Sequence, residues 1–152
     1  MTVSEKDKRP FQKTAWMSAQ AILSRREYSK FELYEKLSQK GFESSEIEKV
    51  ISELQHRGWQ SDERFCEAFV RFRIQKGQGP QKIQFELKKK GVDLQIITSV
   101  LQMYDAQWLQ LCENVLEKKY GDSGEISFEE KAKRLRFLNS RGFPTDIIRQ
   151  IL

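Results

Sequence analysis

The sequence predicts an all-α protein, organised as an elongated array of three tandem three-helix repeats. Three observations carry that expectation. Gly and Pro number only 8 and 3 among 152 residues, too few turn formers for a many-stranded β fold or a Pro/Gly-rich disordered chain. No stretch alternates apolar and polar residues over a strand length. A pattern Leu-x-x-(Lys/Arg)-Gly-apolar occurs three times, at 37–42, 87–92 and 138–143. Its glycines, Gly41, Gly91 and Gly142, are 50 and 51 residues apart, and six residues after each comes Ile47, Ile97 or Ile148. A period of this size marks stacked supersecondary units.

Each unit reads as three helices. Expected spans are 13–26, 30–40 and 45–57, then 62–76, 80–90 and 93–104, then 106–120, 128–141 and 144–152. The Lys/Arg-Gly pair closes the second helix of every unit, because glycine takes the left-handed conformation without a Cβ clash and the cation faces the negative end of the helix dipole. Starts are signalled by Ser29-x-x-Glu32, Ser45-x-x-Glu48 and Ser127-x-x-Glu130, which fit capping boxes, and by Pro80 at a first helical position. The segment 121–127 is the longest loop. Helix 62–76 is apolar on two sides: Phe65, Ala68, Phe69 and Phe72 form one stripe, and Cys66, Val70 and Ile74 another. Burial between neighbours is the expected consequence, with the second repeat in the middle of the array. The division is a flexible tail over 1–12 and repeats at 13–60, 61–105 and 106–152.

Composition excludes several classes. No run of about 18 apolar residues exists to span a membrane. The first ten residues lack the apolar core of a secretion signal. Cys66 and Cys112 stand far apart with no Cys-x-x-Cys, which reads as two reduced, buried thiols in a cytoplasmic protein. The sole histidine, His56, has no partners at ligand or triad spacing, so neither a metal site nor a nucleophilic enzyme is expected. Lys76-Gly77-Gln78-Gly79-Pro80 lacks the spacing of a nucleotide-binding P-loop. It reads as a helix–helix turn, with a weaker alternative in which helix 80–90 aims free N–H groups at an anion. No cofactor is expected.

Charge is the informative feature. The net +5 is unevenly spread. Residues 1–63 balance, 64–90 carry 8 positive and 2 negative groups, 91–130 carry 2 and 8, and 131–152 carry 6 and 1. Two basic segments separated by an acidic one suit a polyanion or an acidic protein surface. Sequence-specific reading of DNA is disfavoured, because the third helices are poor in the residues that address base edges; 93–104 holds no Lys or Arg at all. Candidate contacts are therefore Arg71, Arg73, Lys76, Lys82, Lys88 and Lys89 in the second repeat, and Lys133, Arg134 and Arg136 in the third. Residues 131–141 carry five cations and no anion, a costly clustering that an acidic partner would offset. Phe85 projects away from the core stripe of its helix, among lysines. It packs against an adjacent repeat, the commoner fate of an array helix, or stacks on a base or anchors a partner.

At 61–92 the chain resembles a known family. Asp62-Glu63-Arg64-Phe65, Phe69-Val70, Arg73-Ile74-Gln75-Lys76-Gly77-Gln78-Gly79-Pro80, Ile83, Glu86-Leu87 and Lys90-Gly91-Val92 together resemble the signature of the RecX regulatory proteins. Gln60 departs from it, since relatives tend to carry an apolar residue there, and different packing of the turn after Trp59 is expected. The resemblance implies a monomeric modulator of the RecA recombinase. Such a protein binds the RecA–single-stranded-DNA filament, in its groove or at its end, and lowers ATP hydrolysis, strand exchange and co-protease activity in DNA repair and recombination. It also implies contact with single- or double-stranded DNA. The alternative is a general nucleic-acid-binding helical protein that competes for DNA. In the leading reading the second and third repeats grip the filament through two basic surfaces, and 91–130 is turned away.

Overall fold

The computed structural model describes residues 13–122 and 124–152; the tail expected over 1–12 lies outside them. Nine α-helices and no strand are found among the described residues. They are α1 (Ala15–Leu23), α2 (Lys30–Gln39), α3 (Ser44–His56), α4 (Asp62–Gln75), α5 (Pro80–Lys89), α6 (Leu94–Gln102), α7 (Trp108–Tyr120), α8 (Phe128–Ser140) and α9 (Thr145–Arg149).

Local signals set most boundaries. Thr14 Oγ1 accepts from the Met17 N–H at 3.1 Å, so α1 starts two residues later than expected. Ser29 and Glu32 form the full capping box of α2, each side chain bonded to the other's backbone N–H. Ser127 caps α8 by accepting from the Glu130 N–H. The box expected at Ser45 and Glu48 does not form. Glu43 occupies the cap position without a side-chain bond, and Ser44 and Ser45 already lie inside the first turn of α3. Gly41, Gly91 and Gly142 follow their helices with φ of +94°, +76° and +98°, the left-handed conformation predicted for them.

The chain divides into two compact units. The first comprises α1, α2 and α3, packed pairwise around Ala19, Ile22, Leu33, Leu37, Ile47, Ile51 and Leu54. Gln60 is 2% exposed. Its Nε2 donates to the Tyr28 carbonyl at 3.1 Å, and its Oε1 accepts from Gln55 Nε2 at 3.0 Å. The amide thus satisfies a backbone group that an apolar side chain would leave without that bond.

The second unit holds two three-helix groups, α4–α6 and α7–α9. They share a single core that runs from Phe65, Val70, Ile83, Leu87 and Ile97 to Trp108, Cys112, Leu138, Phe143 and Ile148. Each such side chain contributes about 1.5–3 kcal/mol by leaving water. Helix α4 is not buried all round: Phe65, Cys66 and Val70 are enclosed, whereas Phe72 is 53% exposed.

The join between the two groups is made by backbone. The N–H of Gly79 donates to the Arg141 carbonyl at 2.7 Å, and that of Gln81 to the Gly142 carbonyl at 2.9 Å. A Cβ on Gly79 would lie 2.6 Å from the carbonyl of Gly142, and one on Gly142 would lie 2.5 Å from Lys82 Cβ. Only glycines permit this approach. The segment 76–79 is the helix–helix turn expected between α4 and α5. The weaker alternative, in which α5 aims free N–H groups at an anion, is corrected, since carbonyls of the α8–α9 turn take the Gly79 and Gln81 N–H groups.

Candidate functional site

The ten side chains singled out from the sequence all lie in the second unit, and the structure separates them into three kinds. Arg71, Lys76, Lys88, Lys89, Lys133 and Arg136 are exposed. None of them forms an ion pair among the described residues. Arg73 and Lys82 are half-buried. The Arg73 guanidinium sits 4.7 Å from the Phe69 ring centre and donates from Nη1 to Gln78 Oε1 at 3.5 Å, while its buried Nε has no hydrogen-bond partner. The base of Lys82 is wedged against Gly142.

Arg134 departs from expectation. It is 8% exposed, its Nε donates to Glu130 Oε1 at 3.1 Å, and its guanidinium lies 4.4 Å from the Tyr120 ring centre. The count of five cations and no anion over 131–141 stops one residue short of Glu130, whose place one turn earlier supplies the missing carboxylate. Arg141 is also turned inward, donating from Nη1 to the Lys76 carbonyl at 3.3 Å. Of the third repeat's cluster, Lys131, Lys133 and Arg136 remain at the surface.

Phe85 is not buried as the commoner fate of an array helix would have it. It is 57% exposed, and Lys89 Nζ lies 4.5 Å from its ring centre. Phe72, absent from the sequence-derived set, has the same arrangement, with Lys76 Nζ at 5.3 Å. Phe69–Arg73 and Phe137–Arg141 repeat it at 4.7 and 5.2 Å. An aromatic with a cation four residues on brings both to one helix face. That spacing is readable in the sequence and would have found Phe72. A half-exposed ring beside a cation offers a flat contact to a partner.

The acidic segment contributes two cations to the basic surface of the second unit. These, Lys118 and Lys119, end α7 and border a groove together with Lys76 and Arg141. Ile74 of α4 and Leu111 and Val115 of α7 form the apolar floor of that groove. Tallying charge by segment hides these lysines within a net negative stretch.

No three His, Cys, Asp or Glu side chains converge as a metal site requires, among the described residues. No helix there is long and apolar enough to cross a membrane. Burial pushes the Cys66 thiol up to about 12, aided by Glu67 and Asp62. Burial and then Glu113 push Cys112 up to about 11, so neither thiol is poised as a nucleophile at neutral pH.

Fold and surface together define a helical protein of tandem three-helix domains. Comparison with known proteins gives the family. Models of the first, second and third three-helix domains of RecX match residues 15–54, 61–101 and 105–152. The chain is 43% identical over 137 residues to the regulatory protein RecX of Legionella pneumophila (strain Corby), covering 90% of this chain and 91% of that one. It is 42% identical over 125 residues to that of Actinobacillus pleuropneumoniae serotype 5b (strain L20), covering 82% of each. The crystal structure of RecX from Lactobacillus salivarius superposes with a TM-score of 0.80 at 26% identity, over 90% of this chain and 91% of that one. The chain belongs to the RecX family of regulatory proteins.

Proposed function

We propose that this protein binds the RecA–single-stranded-DNA filament and lowers its ATPase, strand-exchange and co-protease activities. Membership of the RecX family supports RecA as the partner. The observation that carries the reading is the surface of the second unit, where Arg71, Lys76, Lys88, Lys89, Lys133 and Arg136 stand exposed without ion pairs among the described residues. Exposed pairs are individually weak, about 0–1 kcal/mol. A binder of this kind therefore needs a partner that meets many cations at once, as a repeating polyanionic filament does. Regulation here is by occupancy, through a protein that acts without a catalytic site.

A second reading, general nucleic-acid binding, is favoured by one feature: Phe72 and Phe85 are half-exposed rings among lysines, the composition of a stacking platform. RecA ATPase on single-stranded DNA separates the two, with the DNA concentration varied at fixed RecA. A filament regulator inhibits at amounts far below those that cover the DNA. A competitor inhibits only in proportion to the DNA it covers, and excess DNA relieves it.

A further inference from the structure

We propose that the groove between α4, α7 and α8 docks an acidic protein segment carrying an apolar side chain. This deepens the reading above by locating the protein half of the filament contact, and it rests on that reading for the source of the segment.

Charge arithmetic is the first support. Lys76 directly follows α4, Lys118 and Lys119 end α7, and Arg141 directly follows α8. Three helix C-termini therefore converge here, each carrying about −0.5 of dipole charge. They offset roughly 1.5 of the four positive charges, leaving an excess of more than two. No carboxylate lines the groove, and none of the four cations forms an ion pair among the described residues. The cations come from segments far apart in sequence, so the fold gathers them rather than one basic run.

The floor decides the class of partner. Ile74, Leu111 and Val115 are half-buried aliphatics, suited to an inserted side chain and offering no flat face to a base. Phe137 is already engaged. Tyr120 meets it edge-on at 5.7 Å, and Lys119 and Arg141 lie 5.6 and 5.2 Å from its centre. A nucleic acid strand would meet the lysine rim with phosphates and leave the floor wet. A peptide with Asp or Glu flanking one large apolar residue satisfies both layers at once.

The test titrates the full chain into a fluorescein-labelled peptide Asp-Glu-Asp-Phe-Asp-Glu-Asp, the same peptide with Ser for Phe, and labelled oligo-dT. The expected result is Phe-peptide binding at least about tenfold tighter than Ser-peptide binding. Lys118→Glu with Lys119→Glu should remove it by about tenfold or more while oligo-dT binding changes less than about twofold. Asn114→Trp, an exposed groove position, narrows the cleft without altering charge and should weaken the Phe peptide alone. Equal affinity for the two peptides, or an Asn114→Trp protein that binds normally, overturns the proposal. Loss of oligo-dT in parallel with the peptide makes the groove a nucleic-acid site and overturns it too. If the peptide binds as described but the lysine pair can be reversed with RecA filament inhibition intact, the groove stands and the filament is not its partner.

Discussion

Helices α5 and α8 occupy the same place in successive domains, each ending in a cation and a left-handed glycine, yet they present different surfaces. Counted back from Gly91 and Gly142, Lys82 matches Lys133, Phe85 matches Arg136, and Lys90 matches Arg141. On α5, Phe85, Lys88 and Lys89 face solvent. On α8, Glu130 and Tyr120 draw Arg134 into the protein, and Arg141 turns to the Lys76 carbonyl. The lesson is that the cations a helix contains and the cations it presents are different quantities. A carboxylate one turn earlier and an aromatic on the neighbouring helix decide between them. The third domain spends part of its charge on its own fold, whereas Lys88 and Lys89 of α5 stay exposed.

The largest expected effect separates the glycines. Gly142→Ala combines a positive φ with a Cβ driven into Lys82, and should destabilise the second unit by about 3 kcal/mol. At Gly41 the φ is similar but nothing lies within 4 Å, so Gly41→Ala should cost about 1 kcal/mol. Urea unfolding followed by tryptophan fluorescence reads the two units apart, since Trp16 and Trp59 lie in the first and Trp108 in the second. Equal losses at the two sites would mean that the Gly79–Gly142 approach is not tight.

Next comes the contrast within α8. Arg134→Ala removes a largely enclosed ion pair and a ring contact and should destabilise by about 1–2 kcal/mol. Lys133→Gln and Arg136→Gln, both exposed, should stay within about 0.5 kcal/mol. A neutral Arg134→Ala protein would return that arginine to the surface set. The smallest effect concerns the cysteines. With thiols raised to about 12 and about 11, native protein at pH 8 should resist a thiol-specific disulfide reagent on the timescale that labels it fully in urea. Because the folded state holds the thiol proton, this contribution is complete below pH 9 and is lost as pH rises toward 11–12. Rapid labelling of the folded chain at pH 8 would show that the thiols are not enclosed.

Most of the fold was legible because its signals are local. The three Lys/Arg-Gly stops, the Ser29 box and Pro80 each fix a helix end within a few residues of chain. The failures are contacts made at a distance. Nothing around Gly79 announces that the Arg141 and Gly142 carbonyls will take the start of α5, and Lys118 and Lys119 join Lys76 only through packing of α7 on the shared core. Phe72 belongs to neither case. Its stripe was read correctly as apolar, but the core covers that stripe at Phe65 and leaves it open at Phe72.

The central claim is that exposed cations of the second unit engage the filament rather than DNA alone. The direct test measures binding of wild type and of Lys88→Glu with Lys89→Glu to RecA–single-stranded-DNA filaments and to the same naked strand, across a salt series. The account predicts tighter binding to the filament, an about tenfold loss in the variant with a shallower salt slope, and unchanged melting. Equal affinity of wild type for filament and naked strand, with the same slope, or a variant that binds filaments as wild type does, would contradict it.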